Sequence, residues 1–529
     1  MTPRPPVRIN APALVLRVMA NILQGPKILL TKVTNGQIES PVGVTVCAVC
    51  VVMAPVLFIS AAADFWDRGD DGVELLILGL VVGLIGLAVL GVSRFPSALP
   101  VARLFVAFVA GAFASLIVAT AAHYFSSAAT SLDVAVAEAA STVSGTNASV
   151  IQAETLSLGI TLFRSLGQWL SAAAIIVVVV RIMPHLGVGG LDADGGVVTR
   201  SARRLAPKSG STMIRLLSLY AALTGVLLVA YGAAGMSFVE SLVHACTTIS
   251  SGGFSTRSGS IGAFGSVAIE WIAICGMVIA GTSLPLIFRA LQQKDMSRFG
   301  RSVEFRAYVG LIVAAVATTL AWSSQWPNES NVREAVFSVI SAISTTGFYS
   351  SELRSTAYGA ESILLILMLI GGMSASVAGG FKVIRLMVLG KYIRRELRRS
   401  IHPAMVEKIH LGRSSIGDVA MSRIIGELFL AIMIILPMVM LFSADGLNFK
   451  AAFSFAISSL SNVGFAFGLD RTDQHLQALG AIGHIAAAMM MMIGRISATP
   501  VFVALGGIGE PAQREIRRLR LKRKRKVIR

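Results

Sequence analysis

Apolar runs of about 20 residues recur along this chain, each the length a helix needs to cross a ~30 Å hydrocarbon layer. They occupy 42–63, 73–92, 101–122, 155–183, 213–234, 266–290, 305–324, 361–390, 420–443 and 476–505. Inside such a layer every backbone polar group must be bonded within the protein. Closely spaced runs of this kind therefore dictate an all-α, polytopic membrane fold. Composition agrees, with 54% of the 529 residues hydrophobic and only 14% charged. Mean hydropathy is +0.74, well beyond a soluble globule.

The net charge of +18 first suggests nucleic acid, but the chain carries no aromatic-interleaved basic surface and no binding fingerprint. Topology explains the charge better. With the N-terminus inside, the outer side holds Arg68, Arg164, Arg257, Arg333, Arg354, Lys450 and Arg471, and one span holds Arg495. All the rest of the 46 Lys and Arg are cytoplasmic. They cluster between Arg181 and Arg215, Arg289 and Arg306, Lys382 and Arg423, and in the tail from Arg514. This positive-inside bias places both termini in the cytoplasm and Asp64, Asp67, Asp70 and Asp71 outside. The expected location is the plasma membrane, with anionic lipid a natural partner for the basic segments.

Cys47 and Cys50 form a CxxC inside an apolar run, where packing is a better reading than redox or zinc chemistry. The seven histidines do not cluster, and neither a phosphate loop nor a nucleophile with its base is present. Neither an enzyme nor a bound cofactor is expected.

Four further apolar segments, 132–143, 237–249, 332–343 and 447–459, are too short to span. Each runs into a small polar turn: Ser144-Gly145-Thr146-Asn147, Ser250-Ser251-Gly252-Gly253, Ser344-Thr345-Thr346-Gly347 and Ser461-Asn462-Val463-Gly464. A turn can sit at bilayer depth only where protein or a water-filled cavity lines it. Four from one chain can surround one axis and aim carbonyls at it, as a selectivity filter does. The helix ahead of each turn would end there with its negative dipole end, which favours a cation. The candidate filter is Gly145, Thr146, Asn147, Ser251, Gly252, Gly253, Thr345, Thr346, Gly347, Asn462, Val463 and Gly464. No Asp or Glu ring occurs in the turns, so the expected passenger is monovalent, K⁺ or Na⁺, held at the filter only.

The organisation that follows is a cytoplasmic segment, 1–41, and two leading helices, 42–92. Four units of span, short pore helix, turn and span then occupy 101–183, 213–290, 305–390 and 420–505. A cytoplasmic loop, 391–419, and a basic tail, 506–529, complete it. The run 361–390 is interrupted by Gly371-Gly372 and Gly379-Gly380, a broken helix of the kind that clusters at transport pathways. Lys382 just beyond is either a gating residue or a lysine snorkelling to the inner surface. Arg495, in the last span, is a positive barrier beneath the turns or one half of a structural ion pair.

Beyond the turns, the chain carries Ser251-Gly252-Gly253-Phe254-Ser255-Thr256, Thr345-Thr346-Gly347-Phe348 and Leu186-Gly187-Val188-Gly189-Gly190. It also carries Gly379-Gly380-Phe381-Lys382-Val383-Ile384-Arg385, Arg395-Glu396-Leu397 with His402-Pro403, and Gly494-Arg495. With these motifs it resembles the membrane subunits of Trk-type potassium uptake systems (TrkH-like), in the Trk/Ktr/HKT superfamily of cation transporters. The resemblance covers nearly the whole length and is weakest over the first hundred or so residues. It implies potassium uptake, a homodimer with one pore per protomer, and a cytosolic nucleotide-binding regulator of the TrkA type. It also implies that Gly253, Gly347 and Gly464 are filter glycines and that Gly371, Gly372, Ser374, Ser376, Gly379, Gly380 and Lys382 belong to an intramembrane gating loop. Arg495 matches the pore arginine.

The chain departs from the family pattern in places. Asn147 stands where the first-unit filter glycine is expected, and Gly145 takes that place only if the register slips by two. Ser171-Ala172-Ala173-Ala174 replaces a glycine-rich stretch, Met373 to Ala378 is less glycine-rich than a gating segment should be, and Ser497 replaces an acidic residue. Two function classes therefore stand: a cation uptake protein, passive or coupled to protons as a symporter, and a non-conducting or sodium-permeant homologue acting as a regulatory or interaction subunit.

Overall fold

The computed structural model describes residues 33–34, 37–94, 101–126, 128–181, 209–322, 329–350, 360–405, 409–411, 414–469 and 475–496. The motif at 186–190, most of the basic loop after Arg181, Arg354, Arg471, Ser497, the end of the last apolar run and the tail 506–529 lie outside those residues.

Helices dominate. In chain order they are α1 (Pro41–Asp67), α2 (Gly72–Val92), α3 (Val101–Phe125), α4 (Leu132–Ser144), α5 (Leu158–Arg181), α6 (Ser209–Ala233) and α7 (Phe238–Ile249). Then come α8 (Val267–Gly281), α9 (Leu284–Gln292), α10 (Ser297–Arg301), α11 (Val303–Trp322), α12 (Glu329–Ile343) and α13 (Ala360–Ile370). The series ends with α14 (Val383–Ile401), α15 (Asp418–Ala444), α16 (Phe449–Ser461) and α17 (Ala481–Ile496). Among the described residues, 7 helices are long and apolar enough to cross a membrane, or up to 8 if the bent pair α8–α9 is one span. The chain is a multi-pass membrane protein.

It divides into two compact units, one made of 1–52, 81–114 and 499–529, the other of 53–80 and 115–498. In the first, three short strands, β1 (Val33–Thr34), β2 (Gln37–Glu39) and β3 (Ser93–Arg94), form a small sheet, β1 antiparallel and β3 parallel to β2. Cys47 and Cys50 are buried free thiols there, and Cys47 Sγ donates to Gly86 O at 3.2 Å. That placement is packing.

The second unit holds α4, α7, α12 and α16, each of 12 to 15 residues. At 1.5 Å per residue these are about 20 Å long, too short to span. Two of them have starts capped by local chemistry. Ser237 and Glu240 form a reciprocal capping box on α7, and Asn448 Oδ1 accepts from Ala451 N at 2.9 Å on α16. Such caps satisfy N–H groups a helix end leaves orphaned. The core here packs α5 to α8 and α12 through Tyr220, Tyr231, Ile249, Met277 and Phe337.

Two stretches take shapes that hydropathy does not show. The run 266–290 is sharply bent: α8 and α9 meet at 99°. Pro285, in the first turn of α9, has no N–H to give to the carbonyl of Gly281, so the ladder stops there. The stretch from 391 begins in helix. α14 continues to Ile401 because one face, Ile384 and Val388, packs on Ile409, Leu411, Ile416 and Ile424. Two of those residues belong to strand β4 (Ile409–Leu411) and a third to β5 (Ser414–Ile416), which pair as an antiparallel hairpin.

Candidate functional site

The four short helices are neighbours in a closed order. α4 packs on α5 and α17, α7 on α5, α6 and α8, α12 on α8, α11 and α13, and α16 on α13, α15 and α17. Each short helix thus touches the helix that follows its own turn and the one that follows its neighbour's, and the last closes on the first.

All four turns are built alike. The residue after each Ser is left-handed: Gly145 (φ 69), Ser251 (φ 53), Thr345 (φ 55) and Asn462 (φ 60). The next N–H then reaches back into the helix: Thr146 N to Ser141 O, Gly252 N to Thr247 O, Thr346 N to Ser341 O and Val463 N to Ser458 O, at 2.8 to 3.1 Å. These bonds satisfy carbonyls at the helix ends. Ser141, Ser341 and Ser458 also donate their hydroxyls to Ala148 O, Phe348 O and Phe465 O at 2.5 to 2.6 Å, pinning the outgoing strand of three turns. The second turn differs, since Thr247 Oγ1 bonds back to Val243 O. These serines and Thr247 hold one fixed offset ahead of Asn147, Gly253, Gly347 and Gly464. That fixed offset is the sequence signal that aligns the four turns.

In this register Gly145 is level with Ser251, Thr345 and Asn462, and Asn147 is level with Gly253 (φ 73), Gly347 (φ 80) and Gly464 (φ 105). Asn147 itself stays out of the left-handed region. The three glycines are crowded by neighbouring turns. A methyl on Gly253 would strike Thr346 O, one on Gly347 would strike Val463 O, and one on Gly464 would strike the Asn147 backbone. Asn147 N donates to Val463 O at 3.1 Å and Asn147 Nδ2 to Gly347 O at 2.8 Å. The predicted turn residues therefore meet at one place.

Further supports hold the first turn. Buried Glu138, on α4, takes the N–H groups of Val150 (2.6 Å) and Ile151 (3.1 Å) on Oε1, while Arg164 Nη2 lies 3.0 Å from Oε2 as a charge contact rather than an aligned hydrogen bond. The Arg164 guanidinium lies 3.8 Å over the Phe254 ring. Gln168 Nε2 donates to Thr146 O (3.2 Å) and Gly252 O (2.9 Å), linking the first two turns from behind. Above them is a cavity lined by Asn147, Ser149, Arg164, Phe254, Arg257 and Tyr349, among others.

The break between α13 and α14 lies against the turns on another side. Gly379 N donates to Thr345 Oγ1 at 2.6 Å, and a methyl on Gly379 would strike Ser461 O. The break also joins the α8–α9 bend: Met373 N donates to Gly281 O (2.9 Å) and Leu284 N to Ala375 O (3.3 Å). Within it, Gly371, Ala375, Gly380 and Lys382 are left-handed, Ser376 Oγ donates to Met373 O (2.6 Å), and Gly372 O accepts from Val383 N (3.1 Å). Lys382 Nζ donates to Ala378 O, keeping the amine in the break. Ser374 donates its N–H and hydroxyl to Glu304 at 2.5 and 2.7 Å, a partner the sequence did not single out. Arg495 Nη1 donates to Val377 O (3.1 Å) and Nε to Ser171 Oγ (3.3 Å), with its guanidinium beside Gly145.

Fold and site together define a polytopic helical membrane protein in which four half-length helices bring small polar turns to one point beside a broken helix. The family model of TrkH, cation transport protein, matches residues 105–507, and the chain belongs to this family. It is a transport family rather than a class of enzymes. The Trk system potassium uptake protein TrkH of Halomonas elongata is 30% identical over 375 residues, 70% of this chain and 77% of that protein. TrkH of Escherichia coli K12 is 29% identical over 322 residues, 60% and 67% of the two chains. The crystal structure of the potassium transporter TrkH from Vibrio parahaemolyticus aligns with a TM-score of 0.76 at 24% identity, over 88% of this chain and 97% of that one, and so has the same fold.

Proposed function

We propose that this protein takes up a monovalent cation, potassium first, across the plasma membrane along the axis where the four turns meet. The observation that carries the reading is the shared meeting point of Asn147, Gly253, Gly347 and Gly464, reached from four short helices in closed order. Backbone carbonyls there replace hydration water around K⁺, while the absence of carboxylates in the turns disfavours a divalent ion. The relatives named as potassium uptake proteins support the choice of ion. The break from Gly371 to Lys382 acts as the gate, and Arg495 as a positive barrier inward of the turns. Both termini face the cytoplasm, where the basic segments meet anionic lipid and a nucleotide-binding regulator of the TrkA type. The working assembly is a homodimer.

Proteoliposomes holding the purified protein test this, with K⁺, Na⁺ and pH gradients varied separately. Saturable K⁺ flux above empty liposomes is expected, and no flux of any cation would end the reading. The second reading, a non-conducting or sodium-permeant homologue, is favoured by Asn147 at a glycine position. Rescue of a potassium-uptake-deficient bacterium at low K⁺ separates the two. Failure of both the wild type and Asn147→Gly, at good membrane expression, selects the non-conducting one.

A further inference from the structure

Asn147 touches every other turn at once. Its N–H bonds Val463 O, its carboxamide Nδ2 bonds Gly347 O at 2.8 Å, and its Cβ lies 2.8 Å from where a methyl on Gly253 would stand. Gly464 backs directly onto its peptide. Unlike the three glycines, which are buried, Asn147 is half-buried and lines the outer cavity. The side chain therefore sits at the outer mouth of the meeting point, with access to water on one side and backbone carbonyls on the other.

The chemistry of that contact is specific. A carboxamide –NH₂ carries partial positive charge and two donors. It rests on the kind of carbonyl oxygen that replaces water around a dehydrated alkali ion. Gly347 O at this place serves either the amide or an ion approaching from outside, because both need the same space in front of the oxygen.

We propose that the Asn147 carboxamide is a tethered, neutral competitor for the outermost cation position: it bonds Gly347 O between ions and swings toward the outer cavity as an ion enters. This rests on the transport reading above. Because only the swung-out fraction is open to an ion, the residue raises the cation concentration needed for half-maximal uptake. A neutral amide–carbonyl bond biases such an equilibrium by about fivefold.

The test is rubidium uptake by full-length protein in proteoliposomes, comparing wild type, Asn147→Gly and Asn147→Asp. Asn147→Gly removes the competitor and is expected to lower the half-saturating rubidium concentration about fivefold. Asn147→Asp is nearly isosteric, so it keeps the test valid should the glycine variant misfold. It replaces the donor by a carboxylate, so external Ca²⁺ is expected to block its uptake while sparing the wild type. A wild type that conducts, with both variants matching its half-saturation and its indifference to Ca²⁺, would overturn the competitor and leave transport standing. Silence of all three proteins, each monodisperse and melting as the wild type does, removes the competitor and the transport reading together. A silent wild type beside a conducting Asn147→Gly would mean that the side chain blocks rather than competes, and overturns both.

Discussion

Arg495 Nη1 donates to the Val377 carbonyl at 3.1 Å, tying the last described helix to the break in the third unit. Its Nε reaches Ser171 Oγ at 3.3 Å, and its Nη2 is buried without a hydrogen-bond partner. Among the described residues no carboxylate pairs with it, so the ion-pair alternative read from the sequence finds no support there. A guanidinium held this way is costly in a membrane interior and keeps its positive field.

On the proposed reading that field opposes an ion crossing the turns. Two unit charges about 8 Å apart at an effective dielectric of about 20 repel by about 2 kcal/mol. Arg495→Ala is therefore expected to raise rubidium uptake about thirtyfold, and Arg495→Lys to stay near wild type. Unchanged uptake by a stable alanine variant would leave Arg495 only its bonds to Val377 and Ser171.

Glu304 makes a separate prediction. It lies buried in the first turn of α11, where a carboxylate is favoured by the helix dipole. Both its oxygens are used by Ser374, in the break. Glu304→Ala strands both donors and is expected to cost about 2–4 kcal/mol, with Glu304→Gln near half of that. Thermal melting in detergent measures the loss. An alanine variant as stable as the wild type would show that nothing depends on this clamp.

Legibility from sequence followed how local each determinant is. Seven of the ten expected spans appear among the described residues as helices long and apolar enough to cross a membrane. They were readable because lipid thickness sets their length, and the turns because each is a contiguous set of small residues. The register of Asn147 was open, and the chain settles it by folding Gly145 as a helix cap level with Ser251. The α8–α9 bend was missed because hydropathy stays high across it; Pro285 opposite Gly281 was the available sign. Partnerships such as Glu304 with Ser374 join residues far apart in the chain, and neither segment carries a mark of the other. Nor does the sequence name the partners of Arg164 and Gln168, which are Glu138 and the carbonyls of Thr146 and Gly252.

The Glu138–Arg164 pair carries the third prediction. Side-chain exposure is 0% for Glu138 and 5% for Arg164, so removing one partner leaves a charge buried and uncompensated. Arg164→Ala is expected to destabilise the protein by about 3–5 kcal/mol. Glu138→Gln keeps an acceptor for the Val150 and Ile151 N–H groups and is expected to cost less. Melting near the wild type by both variants would mean that the backbone bonds, and not the charges, hold the first turn.

Glycines provide the sharpest contrast between site and scaffold. At Gly347 (φ 80) a methyl would meet Val463 O of the neighbouring turn and approach Asn147 Cβ to 3.0 Å. Gly347→Ala suffers the left-handed penalty of about 1–2 kcal/mol and must also displace a carbonyl that accepts the Asn147 N–H. Gly426, inside α15, has nothing within 4 Å of such a methyl. Gly426→Ala is expected to gain about 0.5–1 kcal/mol from helix propensity alone. The two variants should therefore move apart in melting, and on the proposed reading only Gly347→Ala should lose cation uptake, by at least about tenfold, because it shifts a carbonyl by more than an ion's coordination tolerates. Equal uptake by both would mean that the carbonyls around Gly347 do not face the path of the ion.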